Sequence, residues 1–196
     1  GKNTALFLRD QGAILVATAD TQGSVYNAKG LDIDALIKLK EQGRSVNDYS
    51  DAQKMNGDAL IDIECDIWVP TARPDVIHDD NVGRLKTKLV VEGANIPITY
   101  SAEITLHKQG VLCIPDFIAN AGGVICAAME YRGSNKAAVF QSIEEKLRRN
   151  TQMVLDRMKN EGVLPRQAAV ELATERVRKA MSYRRFSLFS SAPGFI

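Results

Sequence analysis

The sequence predicts an α/β protein: a parallel sheet with helices on both faces, continued by C-terminal helices. Three observations predict it. Short apolar runs alternate with stretches of helical spacing. The runs are apolar at consecutive positions, as in strands buried on both faces. After Asp116 the strand pattern stops and helical spacing takes over.

The elements follow in order. Residues 2–11 read as a helix with Ala5, Leu6 and Leu8 apolar and Gly12 as its stop. Residues 13–19 form a continuous apolar run ending at Asp20, and Asp20-Thr-Gln-Gly23 is a turn signal. A short insertion with Tyr26, Asn27 and Gly30 precedes a helix over 32–42, where Ile33, Leu36, Ile37 and Leu39 lie near helical spacing before Gly43. Strands are predicted at 66–69, stopped by Pro70, at 89–91, ended by Glu92-Gly-Ala-Asn95, and at 111–114, stopped by Pro115. A helix over 101–109 lies between the last two, with Ser101 as N-cap. Beyond Asp116 come a small-residue helix over 119–131 and a long amphipathic helix over 136–160, with Val139, Ile143, Leu147, Val154 and Met158 on one side. A last helix starts at Pro165 and runs to Tyr183. The tail 186–196 is rich in Ser, Phe and Gly and is expected to be loosely ordered.

Composition narrows the function classes. The chain has 196 residues, 45% hydrophobic and 25% charged, with net charge +1. These values suit one large domain or a domain with an appendage, and the weak net charge points to neither nucleic acid nor an anionic membrane. No apolar run reaches membrane-spanning length. The odd set Cys65, Cys113 and Cys126 lies in apolar runs and reads as buried thiols in a reducing cytoplasm. His78 and His107 read as surface residues, Arg148 and Arg149 as a solvated helix face, and no Cys, His and acid cluster has zinc-ligand spacing.

Ligands in such sheets bind beyond the carboxyl ends of the strands, so the residues after each strand carry the chemistry. Asp20 ends a strand where a carboxylate can accept hydrogen bonds from the adenosine ribose of a dinucleotide; equally, an Asp there can cap a turn. A glycine fingerprint belongs about 20 residues upstream of such an acid, which makes Gly1 its last glycine and places the first strand before this sequence. A helix-like opening on Gly1 agrees, and predicts a fragment. Neighbouring Thr21 and Gln22 bring no cation to Asp20, which favours NAD over NADP. Asn95 and Asn120 follow strands and stand beside small residues, so a planar ring could approach. Their amides can orient a nicotinamide, or serve as a turn stabiliser at Asn95 and an N-cap at Asn120.

Four segments then carry a specific resemblance: Val16-Ala-Thr-Ala-Asp-Thr-Gln-Gly-Ser-Val-Tyr-Asn27, Cys65-Asp-Ile-Trp-Val-Pro-Thr-Ala72, Val90-Val-Glu-Gly-Ala-Asn-Ile-Pro97 and Pro115-Asp-Phe-Ile-Ala-Asn-Ala-Gly-Gly-Val124. In order and spacing the sequence resembles the glutamate/leucine/phenylalanine/valine dehydrogenase family, in its nicotinamide-cofactor domain. The resemblance implies a Rossmann-type doubly wound domain over 1–133, helices over 134–185 packing back towards an N-terminal domain, and a tail. It implies NAD-dependent oxidative deamination of an L-amino acid, glutamate first, to a 2-oxo acid and ammonia. By the same likeness Asp20 binds the adenosine ribose with Thr21 beside it. Ala72 lines the cofactor near the nicotinamide through its backbone, Asn95 contacts the nicotinamide ribose, and Asn120 holds the carboxamide. Gly1 belongs to the fingerprint.

The family's catalytic Lys and Asp belong to the N-terminal domain, so no catalytic base is expected here and this piece alone is expected to be inactive. One departure bears on substrate. Glutamate-type members carry a Ser at the position of Ala127, and leucine-type members an Asn at that of Cys126; neither polar group is present. Cys126 reads as a small packed residue, and Glu130 and Tyr131 as helix-packing residues. A homo-oligomer is expected. The alternative is a non-catalytic NAD-binding or regulatory module derived from the same family.

Overall fold

The computed structural model describes residues 1–183; the tail 186–196 lies outside them. Contacts divide the chain into two compact units, the first Gly1–Leu112 and the second beginning at Cys113. The two helices within 116–130 fall in the second unit and pack on the long helix that follows.

The first unit opens on α1 (Lys2–Asp10). The apolar run that follows forms β1 (Ala17–Asp20), which pairs with β2 (Gly23–Tyr26) in an antiparallel hairpin, and β2 pairs with β3 (Gln53–Met55). This corrects the expected strand over 13–19 buried in the parallel sheet. Asp20 faces Gly23 in the register. The two-residue link Thr21-Gln22 can join only antiparallel strands, since a parallel return needs a crossover of a dozen or more residues. The stretch read as an insertion therefore begins in the hairpin's second strand at Tyr26, while Asn27 and Gly30 lie in the turn after it. Helix α2 (Ile33–Glu41) covers this sheet, its first turn capped by Asp32, which accepts from Ala35 N. Val25, Leu31, Leu36, Val46 and Tyr49 form the core beneath it, with Leu15 and Leu39 packed on its edge.

The parallel part of the unit is β4 (Ile67–Trp68) beside β5 (Leu89–Val91), in the register Ile67 to Leu89 and Trp68 to Val90. Pro70 lacks an N–H and keeps β4 short. Helix α3 (Tyr100–Lys108) follows β5 and leads to β6 (Leu112–Ile114), where Leu112 N donates to Lys88 O at 3.0 Å. The cap of α3 is Thr99, which accepts from Ala102 N; Ser101, the expected cap, lies inside the first turn and donates to Asp79. Val90, Ile77, Ile98 and Leu106 are buried at 2% exposure or less, so this layer is dry on the side where it packs.

The second unit is helical. The helix expected over 119–131 is α5 (Gly122–Glu130), and a turn that the sequence did not announce precedes it, α4 (Asp116–Ala119), launched by the buried Pro115. Asn120 ends α4 with its N–H on Asp116 O at 2.7 Å, and Ala121 stands at the N-cap position of α5, so Asn120 is not that helix's cap. Helix α6 (Lys136–Glu161) stops at Gly162, whose φ of 67° is the left-handed conformation that glycine adopts without a Cβ penalty. Pro165 opens α7 (Pro165–Ser182). Val154, Ala168, Ala169 and Leu172 join the two helices, with Ile118 of α4 packed against them. Of the expected inner face of α6, Val139 and Val154 are fully covered, while Ile143, Leu147 and Met158 are half-buried.

Candidate cofactor site

In the first unit, the loops after β4 and β5 and the start of α1 come together. Pro70 O accepts from both Gly93 N (3.0 Å) and Ala94 N (2.8 Å), tying the two strand ends to each other. A Cβ on Gly93 would stand 2.9 Å from Thr71 Cγ2, and one on Gly1 would stand 3.1 Å from Thr71 Oγ1. Thr71 is thus flanked by two glycines, one of them at the start of α1, whose first-turn N–H groups have no partner within the helix. Ala72 and Asn95 follow on the two loops and are exposed.

Backbone strain marks the same loop. Ile96, directly after Asn95, has φ of 48°, a conformation that a β-branched residue rarely adopts. Its carbonyl accepts from Asp75 N, itself at φ 52°, and Pro97 O accepts from Ile77 N. These bonds hold the loop 93–97 against the segment after β4. Strain of this kind costs roughly 1–3 kcal/mol and clusters where a side chain must be aimed.

Asp20 sits apart, at the end of β1. Its Oδ1 accepts from Gln22 N and Ser45 Oγ, each at 2.9 Å, and its Oδ2 from Lys40 Nζ at 2.8 Å and Val46 N at 2.9 Å. Burial by itself would raise the pKa of this carboxyl. The bonds from Lys40, Val46, Gln22 and Ser45 outweigh it and hold the group well below the usual carboxylate range. All four lone-pair positions of the carboxylate are filled from within the chain. It closes the hairpin turn and caps the short turn at Val46–Asp48, the turn-capping role open to it from sequence. Thr21 is exposed at the hairpin tip.

Lys40 corrects the argument from local charge. No cation adjoins Asp20 in sequence, yet the last turn of α2 delivers one in space. Lys40 and Ser45 are the partners that sequence reasoning missed. The available signals were a basic residue in a helix's last turn and a Ser ahead of Val46-Asn-Asp48.

In the second unit, Asn120 is held half-buried at the end of α4. Four residues earlier, Asp116 is 7% exposed and accepts from Arg166 Nη1 of α7 at 3.1 Å. On α5, Cys126 is half-buried and Ala127 exposed. Burial pushes the Cys126 thiol up, and the Glu130 carboxylate that accepts its S–H at 3.5 Å pushes it further, so it stays protonated at neutral pH. Glu130 and Tyr131 are exposed, Tyr131 at 94%, rather than engaged in helix packing within this unit. Cys113 alone of the three cysteines is buried; Cys65 is half-buried like Cys126, and none of the three is in a disulfide among the described residues. His107 is exposed as expected and His78 half-buried, while Arg148 and Arg149 are exposed. Among the described residues no group of three or more His, Cys, Asp and Glu could hold a metal ion, and no helix is long and apolar enough to cross a membrane.

The chain is 36% identical to a glutamate dehydrogenase from Aeropyrum pernix, over 94% of this chain and 46% of that protein. It is 33% identical to an NADP-specific glutamate dehydrogenase from Saccharolobus shibatae, over 82% of this chain and 37% of that one. It spans less than half the length of both relatives. Among solved structures, a hetero-hexameric glutamate dehydrogenase from Thermus thermophilus superposes with a TM-score of 0.83 at 25% identity, over 95% of this chain and 45% of that chain. An L-tryptophan dehydrogenase from Nostoc punctiforme shares the fold at a TM-score of 0.62 and 21% identity, over 78% of this chain and 44% of its own. The family model for glutamate/leucine/phenylalanine/valine dehydrogenase matches residues 1–185, and the chain belongs to that family.

Proposed function

We propose that this chain is the cofactor-binding part of an amino-acid dehydrogenase that oxidatively deaminates an L-amino acid to a 2-oxo acid and ammonia, with glutamate the first substrate to test. The observation that carries the reading is the convergence of Gly1, Thr71 and Gly93. Two backbones without Cβ atoms meet at a helix start beyond the carboxyl ends of parallel strands, where a dinucleotide can approach main-chain N–H groups. The two glycines make room for Thr71, and the donor set that suits a dinucleotide phosphate there is the first-turn N–H groups of α1. Bound there, a nicotinamide cofactor supplies hydride chemistry. Gly1 and the loop at Ala72 then form the main-chain wall, Asn95 holds the nicotinamide ribose, and Asn120 holds the carboxamide. Asp20 and Thr21 serve the adenosine ribose. Since the Asp20 acceptors are already filled, that contact requires Lys40 or Ser45 to yield one.

The names of the relatives support the activity and glutamate as substrate. Cys126 and Ala127, near the substrate in this reading, offer no hydroxyl or amide, so the amino acid's carboxylate is held by other groups. An oligomer and a cytoplasmic setting go with the reading. Its support is the hetero-hexameric assembly of the Thermus thermophilus protein and three cysteines outside any disulfide among the described residues.

NAD is the first cofactor to test, on the Asp20 carboxylate. A second reading, NADP, has one observation in its favour: the Lys40 ammonium stands 2.8 Å from that carboxylate and could meet a 2′-phosphate. The test is turnover of L-glutamate by the natural protein that carries this sequence, with NAD and NADP in parallel. Reduction of NAD at a rate well above that of NADP supports the reading. Equal or higher rates with NADP, lost in Lys40→Gln, move it to the second. No oxidation of glutamate, leucine, phenylalanine, valine or tryptophan with either cofactor overturns it in favour of a binding module.

A further inference from the structure

Asn120 lies at the end of a helix of one turn, too short to be stable by itself. Something outside α4 must hold it, and two grips come from α6 and α7. One is apolar: Ile118 packs against the cluster that Val154 of α6 forms with Ala168, Ala169 and Leu172 of α7. The other is ionic: Arg166 Nη1 donates to Asp116 Oδ1 at 3.1 Å, with the two side chains 21% and 11% exposed. The Arg166 guanidinium also lies over the Phe117 ring, 5.7 Å from its centroid. A planar guanidinium can bond a carboxylate and stack on a ring at once, which an ammonium cannot. The first residue of α4 is therefore fixed at both its side chain and, through Asn120 N on Asp116 O at 2.7 Å, its carbonyl.

We propose that Arg166 is a positioning residue for Asn120: through Asp116 and Phe117 it fixes the one-turn helix that aims the Asn120 amide at the nicotinamide carboxamide. The inference rests on the reading of Asn120 given above. Arg166 touches no reacting atom in this account. Its effect is confined to the nicotinamide end of the cofactor, because that is the end Asn120 holds.

That confinement is the test. On the natural protein that carries this sequence, binding of NAD and of ADP-ribose, which lacks the nicotinamide, is measured by calorimetry for wild type, Arg166→Met, Arg166→Lys, Asp116→Asn and Asn120→Ala. Met keeps the unbranched stem and removes the charge. Arg166→Met and Asn120→Ala are expected to weaken NAD about tenfold, roughly 1.4 kcal/mol, and to leave ADP-ribose within about twofold. Arg166→Lys recovers part of the loss. The double variant is no weaker than the worse single one, since both act on one contact. Equal weakening of both ligands by Arg166→Met, or of neither, overturns the inference. If Asn120→Ala separates the two ligands and Arg166→Met does not, the inference fails and the reading of Asn120 stands. If Asn120→Ala itself fails to separate them, that reading fails and takes the inference with it. Should Arg166→Met not fold, the near-isosteric Asp116→Asn carries the same comparison.

Discussion

Replacing Asp20 by Asn keeps the side chain's shape and removes its charge, and the consequence can be worked from its four bonds. The donors are Gln22 N, Ser45 Oγ, Lys40 Nζ and Val46 N. Gln22 and Lys40 face water and recover hydration, so they are discounted. Ser45 is 3% exposed, and Val46 is buried. Each of those two donors loses a bond to a charged acceptor, worth about 1.5–3 kcal/mol. The Asp20 side chain is 15% exposed, which admits some water and favours the lower end. An amide also turns an NH2 towards one pair of donors. The sum is roughly 2–4 kcal/mol of destabilisation at pH 7.

The sign with pH follows from the depressed pKa. The folded state prefers the carboxylate, so the stabilisation is complete above the unfolded value of about 3.9 and is lost as pH falls towards the lower folded value. The gap between wild type and Asp20→Asn should therefore narrow below about pH 4. Urea unfolding followed by the single tryptophan, Trp68, reports on the unit that contains Asp20. A gap under about 0.5 kcal/mol at pH 7, the range of an ordinary surface change, would refute the reasoning. So would a gap that stays constant down to about pH 3.

Three further outcomes are expected. Gly93→Ala puts a Cβ 2.9 Å from Thr71 Cγ2, so it should weaken NAD binding, and Thr71→Ser, which deletes that methyl, should restore part of it in the double variant; calorimetry decides. Ile96→Gly relieves the left-handed strain and should stabilise the fold or leave it unchanged, offsetting roughly 1 kcal/mol of chain entropy, while loosening the Asn95 loop and weakening NAD; a clear loss of stability would show that Ile96 packs more than it strains. Val154→Ala, at 0% exposure between α6 and α7, should cost about 2 kcal/mol, and Val170→Ala, at 50% exposure on α7, less than about 0.5 kcal/mol, both read from thermal unfolding.

What was legible in the sequence divides along physical lines. The strand at Leu89–Val91 was readable to the residue because it has unambiguous stops on its C-terminal side. Pro165 marked a helix start because its backbone preference is strong and local. The run 13–19 was misplaced because an apolar stretch does not say whether its neighbour is a crossover partner or the next strand of a hairpin; the two-residue turn at Thr21-Gln22 held that information. Ser101 lost the cap of α3 to Thr99 since Asp79, 22 residues away, competes for its hydroxyl. The one-turn helix α4 was hidden because four residues carry no helical period, and the grip on its first residue comes from Arg166, 50 positions later. The same holds at Asp20. Its place after a strand was visible, but its partners Lys40 and Ser45 are 20 and 25 positions away.

The central claim is that this chain binds a nicotinamide dinucleotide through its strand-end loops, and Asn95 is the exposed side chain that the account places on the nicotinamide ribose. Titration of NAD and NADP into the natural protein that carries this sequence, wild type and Asn95→Ala, tests it most directly. The account predicts saturable binding of one of the two by wild type and a loss of about tenfold in the variant, the worth of one well-made hydrogen bond. No saturable binding of either dinucleotide, or binding that Asn95→Ala leaves unchanged, would contradict it.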